Sequence, residues 1–245
     1  MLLNRRIALV LPALDEEGAL PGVLDAVPAW VDEVVVGDNG SRDGTAAAAL
    51  RHGARVAREP RRGYGRACLA ALGALEAAPP DIVAFADADG SDDVARLADL
   101  VAPIAEGHAD FVLESRDATS RAALSPQQRL GNRLATALIR ALWRHDYADL
   151  GPMRAISWSA LGTLAMAAPG CGWTVEMQVR ALASGLRVRE VPLPYRPRRS
   201  GSSKISRTLL GTVRAGAAIL AVIGREAWRG SRGAPPTPRP RRCPS

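Results

Sequence analysis

The stretch VAFADADGSDD, Val83 to Asp93, places four aspartates within seven residues, directly after the apolar run Ile82 to Phe85. Carboxylates packed that closely repel one another, and burying them unpaired is costly. A positive partner is required. Asp87 and Asp89 stand at i and i+2, so on leaving a strand they point to one side, about 6–7 Å apart. Two such carboxylates suit a hard divalent cation, Mg2+ or Mn2+, that completes its shell with water and phosphate oxygens. The stretch also reads as an acidic loop capping a helix that starts at Val94, which suits Asp92 and Asp93 better than the first pair.

A second polar loop, GDNGSRDGT from Gly37 to Thr45, also follows an apolar run. Its glycines permit a tight turn, and Asp38 falls at the tip of the strand, where a carboxylate can accept hydrogen bonds from a base or a ribose. Asp43 reads as a structural cap of the next helix. RRGYGRAC, from Arg61, has G-x-G without a third glycine, which makes a poor dinucleotide fingerprint.

These loops need a scaffold, and the hydrophobic pattern supplies one. Strands are expected at 7–11, 34–36, 55–57, 82–86 and 111–113, alternating with helices at 19–27, 45–52, 66–77 and 94–105. That alternation predicts an α/β fold, a mainly parallel sheet flanked by helices. The loops after the strands, PALDEE, GDNGSRDGT, DADGSDD and ESRD, should then meet on the rim where such sheets bind ligands. Helices are expected at 127–143 and 175–183, a strand lies within LRVREVPLPY, and a last helix covers 205–228. The pattern between 144 and 174 is loose.

Composition narrows the partners. The 245 residues carry a net charge of +7, with Lys204 the single lysine among 32 basic residues. A basic surface suits phosphates or an anionic membrane, while 4% aromatics and the lack of a recognition motif argue against nucleic acid. Cys68, Cys171 and Cys243 have no metal-ligand spacing and suggest inert thiols in a reducing compartment. No apolar run is long enough to predict a transmembrane helix, and strand 7–11 begins too early to leave room for a signal peptide. The last helix alternates Leu209, Leu210, Val213, Leu220, Ile223 and Trp228 with Arg207, Arg214, Arg225 and Arg229. This pattern suits either an interfacial membrane helix or one packed on the domain. The expected location is cytoplasmic, peripheral at the inner face of a membrane.

Six segments in order, LPALDEE, VVVGDNGSRDGT, RRGYGRACLAAL, FADADGSDD, ESR and GWTVEMQVRALASGLRVREVPLPYRPRRSGSSK, resemble family 2 glycosyltransferases of the GT-A fold. The resemblance spans roughly residues 5 to 225 and is closest to polyprenyl-phosphate (dolichyl-phosphate) sugar transferases. It implies a Rossmann-like GT-A domain over 1–204; the residue pattern adds an amphipathic helix over 205–229, and the Pro/Arg-rich composition a disordered tail over 230–245. It implies inverting, metal-dependent transfer of a hexose from a UDP- or GDP-sugar to a polyprenyl phosphate. By resemblance, Pro12, Leu14, Glu16 and Asp38 hold the nucleoside. Asp87, Ala88 and Asp89 bring Mg2+ or Mn2+ to the diphosphate, with Ser91 as a further metal ligand. Arg116, Arg198 and Lys204 meet the acceptor phosphate, which is already ionised and needs no base. Glu176 becomes the base if the acceptor is a hydroxyl, or else an acid at a helix N-terminus. The chain departs from the family pattern at Leu14 and Asp15 (often Tyr and Asn), Gly37 (often Asp) and Ser91 (often Gln or His). Sugar nucleotidyltransfer would need a Gly-rich basic loop where LPALDEE is acidic. A non-catalytic nucleotide-sugar binding module is the remaining alternative, against which the intact aspartates and Lys204 weigh.

Overall fold

The computed structural model describes residues 1–116, 126–196 and 209–231. Seven strands form one sheet: β1 (Ile7–Ala13), β2 (Glu33–Asp38), β3 (Arg55–Arg58), β4 (Ile82–Phe85), β5 (Phe111–Arg116), β6 (Arg154–Ser157) and β7 (Val188–Leu193). Their order is β3-β2-β1-β4-β6-β5-β7. β3, β2, β1 and β4 pair in parallel, as do β5 and β7. β6 runs antiparallel between β4 and β5.

The helices are α1 (Leu20–Leu24), α2 (Thr45–Arg51), α3 (Tyr64–Leu75), α4 (Leu97–Ala105), α5 (Pro126–Trp143), α6 (Trp158–Leu164), α7 (Trp173–Ala183) and α8 (Leu209–Ser231). A single 3-10 turn, Val94–Arg96, precedes α4. The period-2 pattern of β1 divides the core into two layers. Ile7, Leu9 and Leu11 pack with Leu20, Leu97 and Leu100 on one face, while Ala8 and Val10 join Phe85, Phe111 and Trp173 on the other. The central strands are buried on both faces, which is why they read as continuous apolar runs.

The alternating half follows the expected element order, with boundaries shifted by a few residues. Two elements depart from it: β6 and α6 lie within the 144–174 stretch, where no strand or helix was expected. RAIS is too short and too mixed to declare a strand, because Arg154 interrupts the apolar pattern. Ser157 then caps α6, its Oγ accepting from the Ala160 amide at 3.3 Å. The last helix runs to Ser231, past the expected boundary at 229. It packs on α5 and α7, with Val222 and Ile223 buried in the core. Among the described residues no helix is long and apolar enough to cross a membrane. Residues 117–125, 197–208 and 232–245 lie outside the description, and with them most of the expected tail.

One close approach fixes how α3 sits. A Cβ added at Gly65 would lie 2.0 Å from the Ala168 carbonyl oxygen and 2.8 Å from Trp173 Cδ1. Neither neighbour can withdraw, because one is backbone and the other is a buried indole in contact with Phe85. Gly65→Ala should therefore destabilise the fold by about 1–3 kcal/mol through overpacking, which a thermal melt would read as a fall of roughly 2–10 °C. An unchanged melting temperature would show that α3 and the 168 segment can separate freely.

Candidate active site

The carboxyl ends of β1, β4, β5 and β7 and the loop after β2 border one cleft of about 520 Å3. That is the size of a small-ligand pocket. Pro12, Leu14 and Glu16 line it from the exit of β1, Asp87, Ala88 and Asp89 from β4, and Arg116 from β5. The convergence of strand-end loops expected from the alternation is the arrangement observed.

The loop after β4 is held from below. Asp89 is buried, and its Oδ1 accepts from the Ser91 amide at 2.8 Å and the Ser91 hydroxyl at 2.5 Å. Ser91 is fully buried and is not among the residues lining the cleft, so its observed part is to orient Asp89. Asp92 and Asp93, expected as helix caps, make no side-chain cap of the following turn. Instead Asp92 Oδ2 accepts from the Asp87 amide at 2.7 Å, and Asp93 pairs with Arg196 at 2.8 Å. A bridge between Asp92 and Tyr195, with the Arg196 amide donating to the Ser91 carbonyl at 2.9 Å, joins this loop to the exit of β7. The Asp93 side chain finds its partner 103 residues away in sequence and the Asp92 side chain finds one within its own loop, so neither is left to the adjacent helix turn.

Below the cleft lie more carboxylates. Both oxygens of Glu114 and Oδ1 of Asp92 are buried without a hydrogen-bond partner. Burial pushes the Glu114 carboxyl up to about 8; Arg116 pulls it down, while Asp149 and Asp87 push it further up. Burial, then Glu114 and Asp87, raise Asp92 well above the ordinary carboxylate range. Arg154 is fully buried nearby, and its guanidinium donates to the carbonyls of Pro152, Thr174 and Gly151 at 3.0, 2.9 and 2.5 Å. Burial lowers its pKa.

Arg116 lies in the cleft with its guanidinium committed to Asp149 by bonds of 2.5 and 2.8 Å, and it sits 5.3 Å from the centre of the Tyr195 ring. Asp38 is buried at the end of β2, where its Oδ1 accepts from the Ser41 amide at 3.0 Å. The lining residue from that loop is Asn39. Its Nδ2 donates to the carbonyls of Glu59 and Arg61 at 3.1 and 2.8 Å, and its Oδ1 accepts from Gly63 at 2.7 Å. Asn39 thereby shapes the Arg61–Gly63 turn, which brings Arg62, Gly63 and Tyr64 to the cleft. None of these was singled out from the sequence, although all stand in motifs that were. Tyr195, Leu150, Pro152, Cys171, Thr174 and Ile219 also line the cleft. They come from segments whose periodicity is weak or whose contacts are distant.

Glu176 does not line the cleft. It is fully buried at the start of α7, with Oε2 accepting from Ala167 and Ala168 amides at 2.9 and 2.7 Å and Oε1 paired with Arg225 and Arg180 at 2.8 and 3.0 Å. Four donors leave this carboxylate poorly placed to take a substrate proton. Trp173 is buried against Phe85 rather than presented to a sugar. Arg198 and Lys204 lie outside the described residues.

Residues 8–161, well over half of the chain, match the family model described as glycosyl transferase family 2. The chain belongs to glycosyltransferase family 2. It is 42% identical over 207 residues to an uncharacterized glycosyltransferase of Mycobacterium tuberculosis, covering 84% of this chain and 93% of that one. It is 31% identical over 202 residues to the low-salt glycan biosynthesis hexosyltransferase Agl6 of Haloferax volcanii, covering 78% of this chain and 48% of Agl6. Among solved structures it is similar to glucosyl-3-phosphoglycerate synthase from Mycobacterium tuberculosis in complex with Mn2+, uridine diphosphate and glucosyl-3-phosphoglycerate. The TM-score is 0.72 at 26% identity, over 92% of this chain and 81% of that one. The seven-stranded sheet is thus a GT-A fold, and the chain is a glycosyltransferase that uses a nucleotide sugar.

The family implies a divalent cation, and the residues present fit one. No group of three His, Cys, Asp or Glu able to hold a metal occurs among the described residues. Asp87 and Asp89 nevertheless open onto the cleft together, an oxygen-only pair of the kind that shares Mg2+ or Mn2+ with substrate phosphates.

Glu114 yields a pH test. Folded, it keeps its proton up to about pH 8; unfolded, it loses it in the ordinary carboxylate range. Folding takes up a proton between those limits, so this group's contribution to stability declines as pH rises from about 5 through 8. Glu114→Gln should remove that decline. Melts in chelator should show the variant gaining on wild type by about 2–4 kcal/mol between pH 5 and 9. Parallel pH profiles for the two proteins would show that Glu114 titrates normally.

Proposed function

We propose that this glycosyltransferase moves a hexose, with inversion, from a UDP- or GDP-sugar to a polyprenyl phosphate. The observation that carries the reading is the placement of Asp87 and Asp89 on one cleft, with the β1 exit loop beside them and an apolar wall of Leu150, Pro152 and Ile219. A cation held by Asp87 and Asp89 supplies Lewis-acid stabilisation of the departing diphosphate. Ser91 fixes the Asp89 carboxylate, and the contacts to Asp92 and Arg196 fix the loop, so the charge is organised before substrate arrives. Pro12, Leu14, Glu16 and Asn39 border the nucleoside, with Asp38 supporting that wall from beneath. The acceptor phosphate attacks the anomeric carbon from the face opposite the diphosphate.

An ionised phosphate needs no general base. This agrees with a cleft in which His52, His108 and His145 take no part and from which Glu176 is withdrawn. The second acceptor reading, a hydroxyl activated by Glu176, would require that carboxylate to leave two amides and two guanidiniums. Arg116, held rigid by Asp149, offers a fixed positive edge, and Lys204 and Arg198 belong to the segment joining Arg196 to α8. Tyr195, just before Arg196, lines the cleft, as does Ile219 ten residues into α8. Leu220 and Trp228 of α8 and Leu130 and Leu134 of α5 are exposed, which supports peripheral contact with an anionic membrane carrying the lipid acceptor.

The direct test incubates membranes and purified protein with a panel of labelled nucleotide sugars and extracts the lipid. A labelled polyprenyl-phosphate hexose supports the reading; label confined to a water-soluble phosphorylated product replaces the acceptor class. Asp89→Asn should abolish metal-dependent turnover and leave the melting temperature nearly unchanged. The amide oxygen can still accept both Ser91 bonds, while the charge that binds the cation is gone. Wild-type turnover in the variant or in excess chelator would remove the metal from the mechanism. Lys204→Ala should raise the KM for lipid phosphate by about tenfold or more, the loss of one charged hydrogen bond. Nucleotide affinity should not change. A collapse of nucleotide binding, measured by calorimetry, would move Lys204 to the donor side.

A further inference from the structure

Glu176 lies off the cleft, yet its contacts lead back to it. On one side its Oε2 binds the amides of Ala167 and Ala168. The next carbonyl, that of Pro169, accepts from the Arg66 amide at 3.1 Å. A Cβ at Gly63 would meet that same carbonyl oxygen at 2.2 Å, and one at Gly65 would meet the Ala168 oxygen at 2.0 Å. The 167–169 segment is therefore pressed directly onto the turn that brings Gly63, Tyr64 and Ala67 to the cleft.

On the other side Oε1 receives Arg225 from α8 and Arg180 from α7. Arg180 also donates to Glu226 at 2.9 Å and to the carbonyls of Leu164 and Ala165. Arg225 reaches Glu226 as well, at 3.1 Å. Burial raises the Glu226 carboxyl, but its bond to Arg180 and the charges of Arg180 and Arg229 outweigh that and hold it below its usual value. The network ties α8 to the 164–169 segment. Ala165, at the C-cap of α6, takes the left-handed conformation at φ 47°, so α6 ends there and the chain turns toward the cleft. A buried carboxylate among these donors is costly to disturb, because removing one partner leaves charge behind in an apolar setting.

We propose that Glu176 is a positioning residue for the nucleotide-sugar donor: locked by Arg225 of α8, it holds residues 167–169 against the 63–67 wall of the cleft. The proposal rests on the reading of that cleft as the donor site. It makes the docking of α8, which also contributes Ile219 to the lining, a condition for full donor affinity, although neither Glu176 nor Arg225 touches the donor.

The test uses the full chain, with UDP or GDP plus Mn2+ in calorimetry, steady-state kinetics and thermal melts. Arg225 is 45% exposed, so its variants are expected to fold. Arg225→Ala should weaken nucleotide binding and raise the donor KM by about fivefold, a part of what loss of a direct charged contact would cost, with kcat within about twofold. Arg225→Lys should restore most of the affinity. Glu176→Gln should behave like Arg225→Ala, and the double variant should be no worse than either single one, since both break one linkage. A lowered melting temperature with wild-type nucleotide affinity and donor KM in both single variants would reduce the network to a structural brace and overturn the proposal. A wild-type protein that binds neither nucleotide would fail differently: the donor reading of the cleft would fall, and this proposal with it.

Discussion

Four carboxylates at the ends of β4 and β5, the two strands that flank β6, set the terms for the site. Asp87, Asp89, Asp92 and Glu114 cannot all be ionised so close together in a largely buried place. The molecule divides the problem by depth. Asp92 and Glu114, innermost, are driven toward the neutral form by burial, helped at Asp92 by Glu114 and Asp87 and at Glu114 by Asp149 and Asp87. Asp87 and Asp89 reach the cleft, where solvent and ligand can answer their charge. Arg154, bonded to carbonyls, and Arg116, bonded to Asp149, place positive charge around the group. The cleft thus presents organised negative charge at Asp87 and Asp89, an oxygen-only pair that would suit a divalent cation.

Rigidity around that charge comes from contacts that bypass the local helices. The aspartate loop is joined to the exit of β7 through Asp92, Asp93 and Ser91, and Asn39 ties the exit of β2 to the turn before α3. Glycines permit these approaches. Gly37 lies so near the Ala67 carbonyl that a Cβ would fall 2.4 Å from its oxygen, and Gly151 stands in the same relation to Glu114 at 2.3 Å. A site preorganised in this way loses little on substrate binding.

The C-terminal helix has two faces with different duties. Val222, Ile223 and Glu226 are turned inward onto α7, while Leu220 and Trp228 remain exposed. The inward face continues the core and, through Ile219, the cleft. One helix thereby contributes to the core, to the cleft lining and to the exposed surface. The two roles assigned to it by its sequence, interfacial and packed, need not exclude each other, since an amphipathic helix has room for both.

Much of this was legible along the chain. The short apolar runs of β1 and β4 and the helical spacing between them carried the α/β class and the rim where loops converge. Asp87 and Asp89 could be singled out because a strand ends just before them, and Pro12, Leu14, Glu16 and Arg116 because their motifs recur in a known order. The sequence by itself determined which residue types stand at the strand ends, since local periodicity places the strands. Only the tertiary structure decided which of those residues share the cleft. It turned Asp92 and Asp93 from helix caps into ties across the fold, set Ser91 behind Asp89, exchanged Asn39 for Asp38 at the lining and withdrew Glu176 into an ion-pair network. It also inserted β6, whose Arg154 breaks the apolar pattern because it answers buried carbonyls rather than the core. Asp93 with Arg196 and Glu176 with Arg225 join residues far apart in sequence. Asp92 with Asp87 and Ser91 with Asp89 join residues of one loop. In both kinds, a hydrogen bond or ion pair closed by folding leaves no periodic trace along the chain.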